Sequence, residues 1–145
     1  MTPAGTAGHP GQVNVRSCPA IPASILRHRR GNAAEDLAAA YLGARGLSIL
    51  ARNVRCKGGE IDILCLDGQC LAVIEVRQRA HGRFGGALAS VTPAKQRKII
   101  RAARYLLQTS AGYRGRRMRF DVVGVEGLPE SAHRISWIKD AFRTR

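Results

Sequence analysis

The sequence predicts a single α/β domain. Two segments repeat their apolar residues at helical spacing, and several shorter runs alternate with the period of strands. The length of 145 residues suits one core and is too short for two comfortable ones.

Residues 1–27 are rich in Gly, Pro and Ala without periodicity and read as a disordered extension, so the domain is expected over 28–145. Arg27, His28, Arg29 and Arg30 form a basic collar, either a solvated run or a phosphate contact. In NAAEDLAAAYLGARG, Asn32 is placed as an N-cap, Glu35 three residues on completes a capping box, and Gly46 stands where a C-terminal cap falls. Ala34, Leu37, Ala38, Tyr41 and Leu42 give the helix one apolar face. Reaching back to the Asn32 amide is the favoured role of Glu35 on local grounds. Leu47 to Val54 reads as a strand, and Gly58-Gly59 permits a tight bend or a close backbone approach.

Gly58 to Arg79 organises the chain. Asp67-Gly68 between alternating apolar runs is a hairpin signal. With those two as turn residues, Leu66 lies opposite Gln69, Asp62 opposite Val73 and Glu60 opposite Glu75. Period-2 alternation sends Glu60, Asp62, Glu75 and Arg77 to one face and Ile61, Ile63, Ile74 and Val76 to the other. Asp62 and Glu75 become diagonal neighbours, with Cα atoms about 7–8 Å apart, able to share a hard cation. The competing reading is a solvated face with Glu75 paired to Arg77. Leu64, Leu71 and Val73 share the acids' face, which argues that it is covered, and buried like charges need a cation between them. Spacing alone leaves both readings open.

The following AHGRFGGALASV is a loop, in which Phe84 either plugs the core edge or stacks on a base beside Arg83, and His81 alone is no catalytic signal. Thr92-Pro93 starts a helix to about Gln108. Ile99, Ile100, Ala103, Leu106 and Leu107 face its core, while Arg97, Arg101 and Arg104 form a stripe adjoined by Lys95 and Lys98. Five basic residues and no acid in one helix exceed what solubility needs and point to phosphate contact. The basic loop Arg114 to Arg119 adds to that footprint. FDVVGV is a strand with Asp121 at its start, read as a loop-end salt bridge, and ISWIKDAF is a last strand or short helix closing the core with Trp137, Ile138 and Phe142.

Charge narrows the partners. With 24 Lys+Arg against 10 Asp+Glu, net +14, the chain would repel itself without an anionic partner, and nucleic acid is the expected one, DNA ahead of RNA. A long apolar run and a basic, aromatic-rich amphipathic helix are both missing, which argues against a membrane. Cys18, Cys56, Cys65 and Cys70 show no zinc-ligand spacing with the four His, and reduced thiols in a cytoplasmic protein without a secretory signal are expected.

Six motifs then stand in register over Gly31 to Phe142. They are G-x-x-x-E at Gly31 to Glu35, GEID at Gly59 to Asp62, IEVRQR at Ile74 to Arg79, Lys95, RFDVV at Arg119 to Val123, and WIKDAF at Trp137 to Phe142. Together they resemble the YraN family of uncharacterised bacterial proteins, in the Holliday-junction-resolvase-like branch of the PD-(D/E)xK nuclease superfamily. The resemblance implies a restriction-endonuclease-like fold, a central mixed β-sheet flanked by helices. It further implies Asp62, Glu75 and the Val76 carbonyl as ligands of Mg²⁺ or Mn²⁺, Glu35 as a further acid at the site, and Arg77 in the place of the superfamily's active-site Lys. The catalytic set is thus Glu35, Asp62, Glu75 and Arg77, with Arg79, Lys95, Arg97, Lys98, Arg101 and Arg104 on the nucleic acid.

An arginine cannot give up its proton in a protein, so Arg77 is no general base, although it can hold a phosphate. The implied function is a metal-dependent endonuclease on DNA, branched substrates included. The alternative is a non-catalytic DNA- or RNA-binding protein with a degenerate site, and an RNA nuclease and a homodimer both stay open.

Overall fold

The computed structural model describes residues 33–79, 86–127 and 134–144. The N-terminal extension, the basic collar, Asn32, His81, Arg83 and Phe84 lie outside the described residues. A mixed five-stranded sheet forms the middle layer, in chain order β1 (Ser48–Cys56), β2 (Gly59–Asp67), β3 (Cys70–Arg79), β4 (Met118–Glu126) and β5 (Arg134–Phe142). The pairs β1–β2, β2–β3 and β4–β5 are antiparallel, while β3–β4 is parallel. A parallel pair needs a crossover, supplied here by α2 (Gly86–Ala89) and α3 (Pro93–Thr109). The expected restriction-endonuclease-like architecture is consistent with this arrangement.

The helix α1 (Ala33–Ala44) covers one face, burying Ala34, Ala38 and Leu42 against Ile63, Cys65, Ala72, Ile74, Val123 and Val125. It ends in a Schellman motif. Gly46 takes φ 91, and the amides of Leu47 and Gly46 donate to the carbonyls of Leu42 and Gly43 at 3.2 and 3.1 Å. On the opposite face α3 starts where expected, with Thr92 Oγ1 accepting from the Lys95 amide at 3.2 Å. It buries Ile99, Ala102, Ala103 and Leu106 against Leu64, Leu66, Leu71 and Val73, while Ile100 and Leu107 are only half-buried. The face shared by the aliphatics and the acids is therefore covered.

The hairpin corrects the sequence register. Asp67 pairs with Cys70, Leu66 with Leu71 and Leu64 with Val73. The turn residues are Gly68 and Gln69, with Gly68 at φ 60, the glycine-first arrangement of a type II′ turn. This register gives both Leu66 and Leu64 an apolar partner, Leu71 and Val73, where the Asp-Gly placement leaves Leu66 opposite Gln69. Alternation also fails once, because Ile61 packs with the α3 cluster while Ile63 packs with the α1 cluster.

The last segment is a strand. It is tied down by Asp121, which is fully buried within β4 and is not at a loop end. The carboxylate of Asp121 accepts from Arg119 Nε at 3.0 Å, Trp137 Nε1 at 3.1 Å and the Asp140 amide at 2.9 Å. Arg119 also reaches Asp67 at 2.7 Å, and although burial works against its charge the two aspartates raise its pKa. Phe142 stacks on Phe120 with centroids 5.1 Å apart, whereas Trp137 and Ile138 are half-buried and contribute less to the core than expected. Cys56, Cys65 and Cys70 are free thiols, and burial pushes Cys56 up to about 11 and Cys65 up to about 12, so neither is a ready nucleophile. No helix among the described residues is long and apolar enough to cross a membrane.

Candidate metal and phosphate site

The β2–β3 ladder stops at the Ile63–Ile74 pair. Continuing that register by one residue sets Asp62 directly opposite Glu75, closer than the diagonal expected from sequence. Here the strands part, and an Asp62 oxygen takes over from the ladder by accepting the Val76 amide at 2.9 Å. Glu75 is 3 % exposed, a carboxylate almost sealed from water. Burial, followed by the charge of Glu75, holds the Asp62 carboxyl far above its ordinary range, while the Val76 amide and Lys95 pull the other way. The energetic fault of the site is thus crowded negative charge. A divalent cation would remove it.

Two cations of the chain already lean on Glu75. Arg77 Nη1 lies 3.7 Å and Lys95 Nζ 3.6 Å from Glu75 Oε1, both beyond direct hydrogen-bond range. Arg77 is aimed by Ser90, whose Oγ accepts from Arg77 Nε at 3.0 Å and donates to the Ala87 carbonyl at 2.6 Å. That contact exists because Gly124, paired with Arg77 across β3–β4, leaves room for α2. A Cβ there would meet the Ala87 Cβ at 2.6 Å and Ser136 Oγ at 2.8 Å. Lys95 arrives by a similar device, since Gly59 lets β2 approach α3 so closely that a Cβ would sit 2.5 Å from the Lys98 carbonyl oxygen.

Glu35 lies on the other side of Asp62. It is 2 % exposed and lies 3.6 Å from Arg52 Nη2, whose closer partner is Asp36 at 2.7 Å. Burial and then the charge of Asp62 raise the Glu35 pKa, against hydrogen bonds from Asn53 and Arg52. Asn53 holds φ 52 in β1, an uncommon backbone state for a residue other than glycine. Glu35 is thus turned toward the sheet, and the asparagine that would complete its capping box falls outside the described residues.

Of the catalytic set, Asp62, Glu75 and Arg77 come together, with Glu35 beside Asp62. Among the described residues no three of His, Cys, Asp or Glu are placed to hold one metal ion. The Asp62 and Glu75 carboxylates are hard oxygen donors of the kind that suits Mg²⁺, which keeps several waters and needs few protein ligands. Lys95, grouped by sequence with the basic track, is instead at the carboxylates. Arg97, Lys98, Arg101 and Arg104 are exposed on α3, and Arg79 is half-buried beside Glu126 at the end of β3. Ser90 and Asn53 are contributors that sequence reasoning missed. Positive φ at Asn53 and the role of Ser90 depend on neighbours distant in the chain, and neither leaves a local signal.

Comparison with known proteins gives the chain a family. A family model described as "Uncharacterised protein family UPF0102" matches residues 34–125. A UPF0102 protein of Nitrosococcus oceani is 49 % identical over 117 residues, covering 80 % of this chain and 94 % of its own length. One from Ralstonia nicotianae is 52 % identical over 118 residues, 77 % of this chain and 85 % of its own, and one from Pseudomonas putida is 45 % identical over 114 residues, 79 % and 93 %. With GEID and IEVRQR building the carboxylate pair and the matched span running from the first turn of α1 to the end of β4 but for one residue at each end, this chain belongs to the uncharacterised protein family UPF0102, the YraN family.

Proposed function

We propose that this protein is a metal-dependent endonuclease that hydrolyses DNA phosphodiesters, branched DNA among them. The observation that carries the reading is the placement of Asp62 against Glu75 where β2 and β3 part, with Lys95 and Arg77 beside them. Asp62, Glu75 and the Val76 carbonyl would hold a Mg²⁺ ion, which polarises a phosphate and lowers the pKa of a bound water. Arg77, fixed by Ser90, binds a phosphate oxygen and offsets transition-state charge. Lys95, with its Nζ 3.6 Å from Glu75 Oε1, places a second positive charge beside the carboxylates, where it too can meet a phosphate oxygen. Glu35, whose pKa is raised by burial and by the charge of Asp62, stands as a further acid next to Asp62. The exposed arginines of α3 anchor the polyanion away from the reacting bond.

A second reading, a nucleic-acid-binding protein with a degenerate site, is favoured by Arg77 alone. Cleavage of branched and linear DNA, and of RNA, with Mg²⁺ or Mn²⁺ separates the two. Asp62→Asn and Glu75→Gln should abolish cutting while binding survives. Wild-type protein that binds but cuts no substrate would leave the binder.

A further inference from the structure

Two clefts flank α3 on the side facing the ends of β4 and β5. One, of about 690 Å³, is lined by Pro93, Gln96, Arg97, Ile100, Arg101 and Arg104 on the helix and by Arg143 opposite. The other, of about 680 Å³, begins at the same Arg104 and Arg143 and continues past Leu107, Arg117 and Met118. Joined at the shared arginines, they make one groove. From Pro93 to Leu107 it runs about 21 Å along the helix at 1.5 Å per residue. Its upper end lies at the first turn of α3, from which Lys95 reaches Glu75. Arg143, exposed and paired with Asp140 through Nη2 to Oδ2 at 2.6 Å, forms the second wall.

The composition of the groove selects its occupant. Arginines stand on both walls, and the half-buried Ile100, Leu107 and Met118 form an apolar floor between them. A duplex presents phosphates on a convex surface and hides its base faces, so it has nothing to offer that floor. A single strand offers both, phosphates to the guanidinium groups and unpaired bases to the apolar surface and the arginine planes. We infer that this groove holds a single-stranded segment of nucleic acid leading away from the carboxylate site, which makes substrates with flaps or unpaired branches the preferred class. The inference rests on the nucleic-acid reading above and adds the opposite wall, Arg117 and Arg143, and the strandedness of the substrate.

The test is fluorescence anisotropy with a single-stranded oligonucleotide, a blunt duplex and the same duplex carrying a flap, at several salt concentrations. In Arg117→Ala/Arg143→Ala, single-strand affinity should fall at least tenfold and its salt slope by about 1.4, two phosphate contacts at about 0.7 each, with a smaller loss on blunt duplex. Leu107→Gln, which leaves the charge alone, should also weaken the single strand more than the duplex. Equal losses on all three substrates, or wild-type protein that binds flap and blunt duplex alike, would overturn the inference while leaving the nuclease reading standing. Failure of wild-type protein to bind any nucleic acid would remove both. Loss of cutting in Asp62→Asn with these binding ratios intact would isolate the groove from the chemistry.

Discussion

Replacing Asp62 by asparagine should make the metal-free protein more stable above neutral pH. Burial and the neighbouring Glu75 push the Asp62 carboxyl from 3.8 up to about 7. Between those values the folded protein keeps a proton that the unfolded chain has released. The associated stability is complete below about pH 4 and is lost as pH rises through about 7. Three units at about 1.4 kcal/mol each set an upper bound of roughly 4 kcal/mol, and water reaching the open end of the site reduces this to about 2 kcal/mol. Asparagine removes the charge yet keeps an oxygen to accept the Val76 amide, so the gain is not cancelled by an orphaned donor. For a chain of this length about 2 kcal/mol corresponds to roughly 6–8 °C. Thermal melts in EDTA at pH 5 and pH 8.5 read the effect, with the advantage of the variant small at the lower pH, where roughly a third of the linkage is already spent, and full at the upper. Glu35, raised in part by the charge of Asp62, is relieved in the variant as well, so its residual slope is smaller there than in wild type. Added Mg²⁺ should raise the wild-type midpoint at pH 8.5 and leave that of the variant in place. A variant melting at or below wild type in EDTA at pH 8.5 would refute the crowding of charge on which the site is built.

Two further substitutions probe the scaffold. Gly59→Ala drives a methyl onto the Lys98 carbonyl, a backbone atom that cannot swing aside, and should cost about 1–3 kcal/mol in urea unfolding while weakening Mg²⁺ binding, because α3 carries Lys95. Unchanged stability would mean that β2 and α3 are not in contact there. Asp121→Asn breaks a buried ion pair and should cost about 3–5 kcal/mol, with fluorescence of the single Trp137 shifting at lower denaturant than in wild type.

Much of this fold could be read from the sequence because its signals are local. Thr92-Pro93 and Gly46 mark helix ends through their own backbone preferences, and period-2 runs mark β2–β4. The turn sits one residue later than the sequence suggests, which moves every cross-strand partner by two, because Asp-Gly and Gly-Gln are both competent two-residue turns. The deciding information was the match of Leu66 to Leu71 and Leu64 to Val73 across the strands. The carboxylate pair was legible, since Asp62 and Glu75 lie close together in either register. The destinations of Lys95 and Arg77 were not. Each depends on a missing side chain elsewhere, Gly59 under α3 and Gly124 under α2, and nothing adjacent in the chain announces either.

The single bond from the Val76 amide to Asp62 gives the molecule an internal gauge. A proton shared with a side chain, not with a neighbouring strand, shifts its resonance when that side chain changes ionisation or gains a counter-ion. Following one nitrogen-bound hydrogen by NMR would therefore report the occupancy of the carboxylates directly, with no substrate added and no turnover required.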